Sequence, residues 1–332
     1  MRRPTLEEVA AAAGVSKMTA SRALRGAHDV SKGSIKRVRD AAERLGYVGN
    51  QLALSLSAQR TNLIGVVVPS MSNVVFPEVL AGISAVLEGT GMQAVFGLSE
   101  YDVAKEREII RNMLSWRPSA MIITGLDQPD DTIRLLRQAD IPIVQVMDLD
   151  GDPVDLNVGL SHITAGREMA EALMAKGRQR FGYVGSGTGR DLRAAKRKAG
   201  FEACLEHVGL QFLAQEIDPG FSSLTLGKRL THALLARAPD LDCLYYSNDD
   251  MAAGGVFACM ELGIPVPHQI LIAGFNGLEI AEVLPVKVAT SHSPRRQMGE
   301  AAARLALRAL ADDRENLDRV IAFNPEITFG EA

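Results

Sequence analysis

From residue 63 onwards, short apolar runs typical of buried strands alternate with amphipathic stretches of helical spacing. This alternation predicts βαβ units, in which parallel strands form a doubly wound sheet covered by helices. The pattern runs to about residue 147 and begins again after residue 160, so it predicts two α/β units of the same kind. With 332 residues, of which 47% are hydrophobic, the chain is long enough to supply a core to each unit.

The predicted strands are "LIGVVV", "MQAVFG", "AMIITG", "IPIVQVM", "RFGYVG", "CLYYS" and "ILIAGF", and the predicted helices span residues 77–89, 104–115, 130–138, 164–175, 194–207, 223–236 and 251–261. Ligands of doubly wound sheets bind at the carboxyl ends of strands, and two facing units form a cleft. The side chains that follow these strands are mostly neutral hydrogen-bonding groups, which suits a small polyhydroxylated ligand. The candidate cleft residues are Ser70, Asn73, Phe76, Tyr101, Asp148, Arg190, Arg197, Asn248 and Asn276.

The first sixty residues differ in charge from the rest of the chain. They hold eleven lysines and arginines against five acidic residues, a net charge of +6, whereas the remainder carries −10. A head of this charge attracts polyanions, and an acidic body is repelled by phosphates. The asymmetry therefore predicts a small polyanion-binding domain at the start of the chain.

This head is predicted to consist of three short helices. Thr5 and Glu8 have the spacing of a capping box, and Ser16 and Ser31 can cap the next two helices. The glycines that can end the helices are Gly14, Gly26 and Gly46. The apolar positions that recur at helical spacing and that we expect to share one core are Leu6, Val9, Ala10, Ala13, Ala20, Ala23, Leu24, Ile35, Val38, Ala42 and Leu45.

The segment "GVSKMTASRALRG", residues 14–26, contains the second of these helices. Its outer positions fall along one face, namely Lys17, Met18, Ser21, Arg22 and Arg25. A helix of this size fits the major groove of B-DNA, where Lys17 can donate to guanine and Met18 can pack on a thymine methyl group. The residues alone leave two interpretations open, a DNA-reading face and an ordinary solvated face.

Two adjoining stretches, "TLEEVAAAAGVSKMTASRALRG" and "VSKGSIKRVRDAAERLGYVGNQLALSLSAQRTNLIGVVVPS", resemble the N-terminal signature of the LacI/GalR family of bacterial transcription regulators. Further similarities follow in the family's order, at "SNVVFPEVLAGI", "YVGSGTGRDLRAAKRKAGF", "SNDDMAAGGVFACMELGIPVP" and "ILIAGFNGLEIAEVLPVKVAT". The resemblance implies an all-α helix-turn-helix head that reads double-stranded DNA. The residues expected to contact DNA are Thr5, Ser16, Lys17, Met18, Thr19, Ser21, Arg22, Arg25, Ser31, Asn50, Ala53 and Leu56.

Residues 50–58, "NQLALSLSA", can start a helix at Asn50 but are too few to hold one in isolation. The residues alone favour a plain amphipathic connector packed on the core. The resemblance implies that two such hinge helices pair in the minor groove, where Leu56 wedges into a base step and Ala53 lies close to the groove floor.

The resemblance also implies a core similar to periplasmic sugar-binding proteins, in which a helix at 294–310 returns to the first α/β unit. The expected domains are the helix-turn-helix domain at 1–49, the hinge at 50–61 and the core at 62–332, with an N-subdomain of about 62–160 plus 291–325 and a C-subdomain of about 161–290.

The resemblance also bears on the ligand. The family's effector arginine, three positions before "GF", corresponds to Arg197, and its strand-end asparagine corresponds to Asn248. Asn276 replaces the family's strand-end aspartate, which removes a negative charge and makes an anionic ligand easier to accommodate. The stretches "SNVVF", "SEYD", "PGFSSLTLG" and "AGFNGLEI" are most similar to the gluconate-responsive branch, and the third of them adds Phe221 to the candidates. This implies a sugar acid such as gluconate, 2-ketogluconate or 6-phosphogluconate as the effector, and a neutral sugar or another metabolite as the alternative.

Other classes of protein fit the sequence less well. The loop "GYVGSGTG" has GxGxG in place of the GxGxxG of NAD-dependent enzymes, and the histidines show no metal-binding spacing. We therefore expect no catalytic residue, no cofactor and no metal, and a structural role for His162. Three cysteines without paired spacing, no signal peptide and no long apolar span indicate a cytoplasmic protein without membrane contact. We expect a homodimeric repressor, because two-fold operators are read by two-fold proteins.

Overall fold

The computed structural model describes residues 2, 4–24, 27, 29–47, 61–72, 74–187, 189–311 and 316–330. The chain divides into two compact units, Met1–Thr61 and Asn62–Ala332. The division lies at the end of the expected hinge at 50–61, of which residues 50–60 fall outside the described residues. The finer domain bounds given above stay predictions.

The first unit contains three helices in its described residues, α1 (Leu6–Ala13), α2 (Lys17–Leu24) and α3 (Lys32–Leu45). The capping box of Thr5 and Glu8 is confirmed, because the Glu8 amide donates to the Thr5 hydroxyl and the Glu8 carboxylate accepts from the Thr5 amide. The predicted small core is also confirmed, with Val9, Ala20 and Val38 fully buried at its centre.

One predicted core position of this unit is wrong. Leu45 ends the apolar stripe of α3 in the sequence, yet it is 37% exposed. It is the last residue of the helix, and Tyr47, two residues further on, packs against the core instead. Gly46 between them has a φ of 64°, a left-handed conformation that turns the chain back towards the core.

The second unit begins with a six-stranded parallel sheet. Its strands are β1 (Leu63–Val68), β2 (Gln93–Leu98), β3 (Ala120–Thr124), β4 (Ile143–Val146), β5 (Leu156–Gly159) and β11 (Val320–Ala322), in the order β11-β5-β4-β3-β1-β2. Its helices are α4 (Val75–Leu87), α5 (Val103–Ser115), α6 (Asp130–Arg137) and the returning α12 (Arg295–Leu310), which packs on α4. This sheet with its helices is called the N-subdomain below.

The C-subdomain is built on a second parallel sheet of four strands. These are β6 (Phe181–Ser186), β7 (Phe212–Asp218), β8 (Cys243–Tyr246) and β9 (Leu271–Ala273), in the order β7-β6-β8-β9. Its helices are α7 (His162–Ala175), α8 (Leu192–His207), α9 (Leu224–Arg237), α10 (Asp249–Glu261) and α11 (Glu279–Val283). A short antiparallel pair, β10 (Thr290–His292) and β12 (Glu326–Thr328), completes the described elements.

The predicted fold class is confirmed: a helical head precedes a core of two doubly wound parallel sheets. The ends of every predicted helix of the core differ by at most two residues from those of an observed helix. Five strands were not predicted, namely β5, β7, β10, β11 and β12. Four of them are only three or four residues long, and β7 carries polar side chains at an edge of its sheet.

Three pairs of helices pack through glycines that meet the partner's backbone. A Cβ at Gly166 of α7 would collide with the carbonyl of Arg197 on α8, and one at Gly200 of α8 would collide with the carbonyl of Ile163 on α7. The same reciprocal contact joins α4 to α12 and α9 to α10. The glycines that make these contacts are Gly82 with Gly299, Gly166 with Gly200, and Gly227 with Gly254. Each pair lies within one subdomain.

Candidate DNA interface and ligand cavity

Helix α2 presents an exposed polar face. Met18 is 70% exposed, and the side chain of Lys17 next to it is 61% exposed. The Lys17 ammonium lies 2.5 Å from a carboxylate oxygen of Glu7 on α1, and Arg22 pairs with Asp29. Both cations are thus held in surface ion pairs, which DNA phosphates can replace at little cost.

The three hydroxyl residues predicted both to cap helices and to contact DNA act as caps. The hydroxyls of Thr5, Ser16 and Ser31 each accept a hydrogen bond from a backbone amide three residues on. Thr19 lies on α2 with its hydroxyl 2.8 Å from that of Ser16, and Ser21 is half-buried on the same helix. The predicted DNA contacts outside the described residues are Arg25, Asn50, Ala53 and Leu56.

A cavity of about 770 Å³ opens at the carboxyl ends of strands from both sheets of the core. Segments that follow β1 and β2 form its N-subdomain wall, and segments that follow β6, β7 and β8 form its C-subdomain wall. The polar lining is rich in hydroxyl groups from Ser70, Ser72, Ser186, Ser222, Ser223 and Ser247. Hydroxyl groups donate and accept hydrogen bonds equally well, so this lining suits a polyhydroxylated ligand.

Two aromatic side chains face each other in the lining. Tyr101 comes from the N-subdomain and Phe221 from the C-subdomain, with ring centroids 6.3 Å apart. Burial raises the pKa of Tyr101 to about 12, so its hydroxyl remains a donor at neutral pH. The backbone of Glu100 and Tyr101 is left-handed at φ values of 54° and 59°, a strained conformation of the kind found in ligand-binding segments.

The cavity lining carries three carboxylates and one guanidinium, from Glu100, Asp191, Asp250 and Arg190. Lys105 pairs with Glu100 at 2.7 Å, and Arg193 pairs with Asp191 at 3.3 Å. No ion pair with a described residue is formed by Asp250 or Arg190.

The predicted cleft residues fall into three groups. Those that line the cavity are Ser70, Tyr101, Arg190, Phe221 and Asn248, those that lie outside its lining are Phe76, Asp148, Arg197 and Asn276, and Asn73 is outside the described residues. Phe76 is buried in the N-subdomain core. The backbone of Asn276 has a φ of 114°, and its carbonyl accepts a hydrogen bond from Arg295. Asn248 also caps α10 by accepting from the Met251 amide.

Arg197 is engaged inside the protein. Its guanidinium lies 3.0 Å from Nδ1 of His162, donates to the Ser247 carbonyl at 2.9 Å, and stacks over the Phe275 ring at 3.9 Å. Burial lowers the pKa of His162, so the ring is neutral, and its Nε2 donates to the Met147 carbonyl. The expected structural role of His162 is thus confirmed. Arg197 lies outside the cavity lining and contacts it through the carbonyl of Ser247.

Asp148 is fully buried and pairs with a residue that the sequence did not single out. Lys196 on α8 donates to Asp148 at 2.6 Å and to Asp127 at 3.0 Å, so a C-subdomain helix is tied to two strand-end loops of the N-subdomain. Arg193, one turn earlier, pairs with Asp191 and lies near the Phe76 ring. The i, i+3 spacing of the two cations was the available signal, because it places both on one face of a helix.

Comparison with known proteins identifies both units. The model described as "Bacterial regulatory proteins, lacI family" matches residues 5–50. The model described as "Periplasmic binding proteins and sugar binding domain of LacI family" matches residues 61–325. The HTH-type transcriptional regulator GntR of Pseudomonas aeruginosa is 38% identical over 310 residues, which cover 93% of this chain and 90% of that protein.

Solved structures agree with these matches. A LacI-family transcriptional regulator from Silicibacter pomeroyi is 45% identical, with a TM-score of 0.95 and 99% of each chain covered. The lac repressor dimer bound to operator and the anti-inducer ONPF has a TM-score of 0.83 at 23% identity, with 100% of each chain covered, which shows a shared fold. Within the described ranges, no helix has the length and apolar character that crossing a membrane requires.

Proposed function

The chain belongs to the LacI family of bacterial regulatory proteins, and we propose that it is a homodimeric repressor controlled by a sugar acid. It is a DNA-binding transcriptional regulator, and its relatives are regulators and not enzymes. The proposed part is the cycle: the dimer binds a palindromic operator and leaves it when an acid of the gluconate type enters the cavity.

The DNA-binding face is supported by the exposure and charge of α2. Lys17, Met18 and Arg22 project from a helix that buries Ala20 and Ala23 against the rest of the head. Such a helix can enter a major groove without unfolding its own core. The hydroxyls of Thr5, Ser16 and Ser31 cap the N-termini of α1, α2 and α3. They can contact phosphates only by donating a second hydrogen bond while they continue to accept from the backbone amides.

The observation that carries the effector assignment is the composition of the cavity. Serine hydroxyls and an aromatic pair suit a polyol, and Arg190 offers a guanidinium that no described carboxylate occupies. Arginine is the preferred bidentate partner of a carboxylate. The resemblance to the gluconate-responsive branch and the similarity to GntR point to the same class of ligand.

Exposed apolar side chains support a second copy of the chain as the partner. Phe96 is 45% exposed on β2, an edge strand of the N-subdomain sheet, and Phe257 and Met260 are 40% and 53% exposed on α10. Edge strands and apolar patches of this kind are usually covered in an assembly. The lac repressor, which shares this fold, is a dimer on its operator.

Release of the operator requires the ligand to favour one arrangement of the two subdomains. The cavity walls come from both subdomains, so a ligand that touches both changes the balance between open and closed arrangements. We infer that closure unpairs the two hinge helices, which removes their minor-groove contacts.

Selection from a random duplex library by the full-length protein tests the proposal. We expect a two-fold symmetric site, and we expect saturating gluconate to weaken binding to that site at least about tenfold, because the ligand-bound arrangement binds DNA poorly. Equal affinity with and without each of gluconate, 2-ketogluconate and 6-phosphogluconate would reject the sugar acid as effector. A response to neutral glucose alone would favour the neutral-sugar alternative.

A further inference from the structure

Two of the three carboxylates that line the cavity form ion pairs with cations that lie outside the lining. Glu100 and Asp191 line the cavity, but their ion-pair partners Lys105 and Arg193 are not part of the lining. Each of these two carboxylates is therefore already paired with a cation of the protein when a ligand binds. They add little net charge to the space that the ligand occupies.

Asp250 differs from these two carboxylates. It lies in the first turn of α10, half-buried in the cavity wall, and no described side chain forms an ion pair or hydrogen bond with it. Burial raises the pKa of Asp250, as expected of a carboxylate that loses water without gaining a cation. Its neighbour Asp249 offers no compensation, because Asp249 is an acid that accepts from Thr290 and from the Leu278 amide.

Arg190 is the positively charged residue of the same lining. It is exposed and comes from the segment after β6, and no carboxylate of the described chain lies within ion-pair distance of it. The lining thus presents one positive and one negative group that form no ion pair with a described residue, although the more distant Asp102 interacts electrostatically with Arg190. A ligand that satisfies both has one anionic group for Arg190 and hydroxyl donors for Asp250.

We propose that Asp250 is a specificity-determining residue that makes the cavity accept a sugar acid with one negative charge and reject a phosphorylated one. The inference rests on the proposed sugar-acid effector and deepens it. A phosphate adds about two negative charges at neutral pH. These charges have no second unpaired cation among the described lining residues, and they are repelled by Asp250 in a site partly shielded from water.

Calorimetric titration of the full-length protein with gluconate and with 6-phosphogluconate tests this role. For the wild type we expect gluconate to bind at least about tenfold more tightly, because charges a few ångströms apart in a protein cavity interact this strongly. Asp250→Asn is expected to shrink that ratio about tenfold, mainly through tighter binding of 6-phosphogluconate. Asp130→Asn is the matched control, because it removes the same charge from the first turn of α6 outside the cavity.

A second measurement does not depend on the folding of the variant. In the wild type, raising the salt concentration from about 0.05 M to about 0.5 M is expected to narrow the ratio of the two affinities, because salt screens the repulsion. A ratio that does not change with salt, or equal changes for both ligands in Asp250→Asn, would overturn the role of Asp250.

The outcomes separate this inference from the proposed function. Tight binding of gluconate with an unshifted ratio in Asp250→Asn removes the inference and leaves the sugar-acid regulator intact. If the wild type prefers 6-phosphogluconate to gluconate, the inference about Asp250 is also removed and the sugar-acid regulator is again left intact. Binding of neither acid by folded wild-type protein overturns the sugar-acid effector, and the inference with it.

Discussion

The Lys196 ammonium lies 2.6 Å from a carboxylate oxygen of Asp148, and this ion pair joins the C-subdomain helix α8 to the end of strand β4 in the N-subdomain. Asp148 is fully buried, whereas the Lys196 side chain retains 17% exposure. Hydrogen bonds to Asp148 and Asp127 outweigh the desolvation of Lys196 and raise its pKa. Burial acts against the ion pair on the acidic side, because it raises the pKa of Asp148 above its usual value despite the hydrogen bond from Lys196.

Removal of the lysine leaves a buried carboxylate without its cation. Lys196→Met is expected to lower the free energy of unfolding by about 3 kcal/mol, as is typical when one member of a buried pair is lost. Lys228→Met is the control, because its ion pair with Glu261 joins side chains that are 39% and 53% exposed, and it is expected to cost about 0.5 kcal/mol. Urea unfolding of both variants measures the difference, and similar losses would show that Lys196 has no special role.

Asp249 is expected to make stability depend on pH. Burial raises its pKa from 3.8 to about 6, so the folded state binds this proton more tightly than the unfolded state. Its contribution is most favourable below about pH 4 and is lost as the pH rises through 6. The stability of the wild type relative to Asp249→Asn is therefore expected to fall by roughly 3 kcal/mol between about pH 4 and pH 7. A difference that stays constant over this range in urea unfolding would contradict the shift.

Glu7 is expected to weaken DNA binding by holding Lys17. In Glu7→Gln the lysine is freed and a negative charge is removed, so the affinity for the selected duplex should rise about threefold at low salt. Glu43→Gln on α3 is the charge-matched control, and we expect a smaller effect from it because α2 carries the reading face. Fluorescence anisotropy at two salt concentrations measures both. A fall in affinity would mean that Glu7 orients Lys17 for DNA.

A glycine in the contact between α7 and α8 and a glycine on the open face of α3 are expected to respond oppositely to substitution by alanine. Gly166→Ala drives a methyl group into the Arg197 carbonyl, so the two helices must separate, at a cost of about 3 kcal/mol. Gly33→Ala lies in α3 with nothing within 4 Å of the added methyl group, so it is expected to stabilise by about 0.5 kcal/mol. Thermal unfolding of the two variants checks both signs, and equal effects would refute the close contact.

The elements of the core could be predicted because buried parallel strands are nearly continuous apolar runs, as in "LIGVVV" and "AMIIT". Strand β7, "FLAQEID", could not, because it lies at an edge of its sheet and three of its seven positions are polar. Strands of three residues, such as β11, carry too short a pattern to be separated from a loop.

The cavity could be predicted in outline, since five of the ten candidate residues line it. Its electrostatics could not. The spacing of Arg193, Lys196 and Arg197 shows that they share a helix face, but their partners Asp191, Asp148 and His162 are set by packing. Asp250 lies two residues after a predicted residue, Asn248, and sequence reasoning did not single it out because an acid in the first turn of a helix is ordinarily a helix-stabilising residue.

Helix α12 and strand β11 belong to the N-subdomain although they come near the end of the chain. On the ribosome, the strands of the C-subdomain sheet emerge as one uninterrupted run, from Phe181 to Ala273. The N-subdomain sheet emerges earlier but lacks its edge strand, and α4 lacks the helix that covers Gly82, until residues 295–322 have been synthesised. Domains usually fold in the order of their synthesis. In this protein, the half of the core that is made first has to wait for the last helix before its apolar surface is covered.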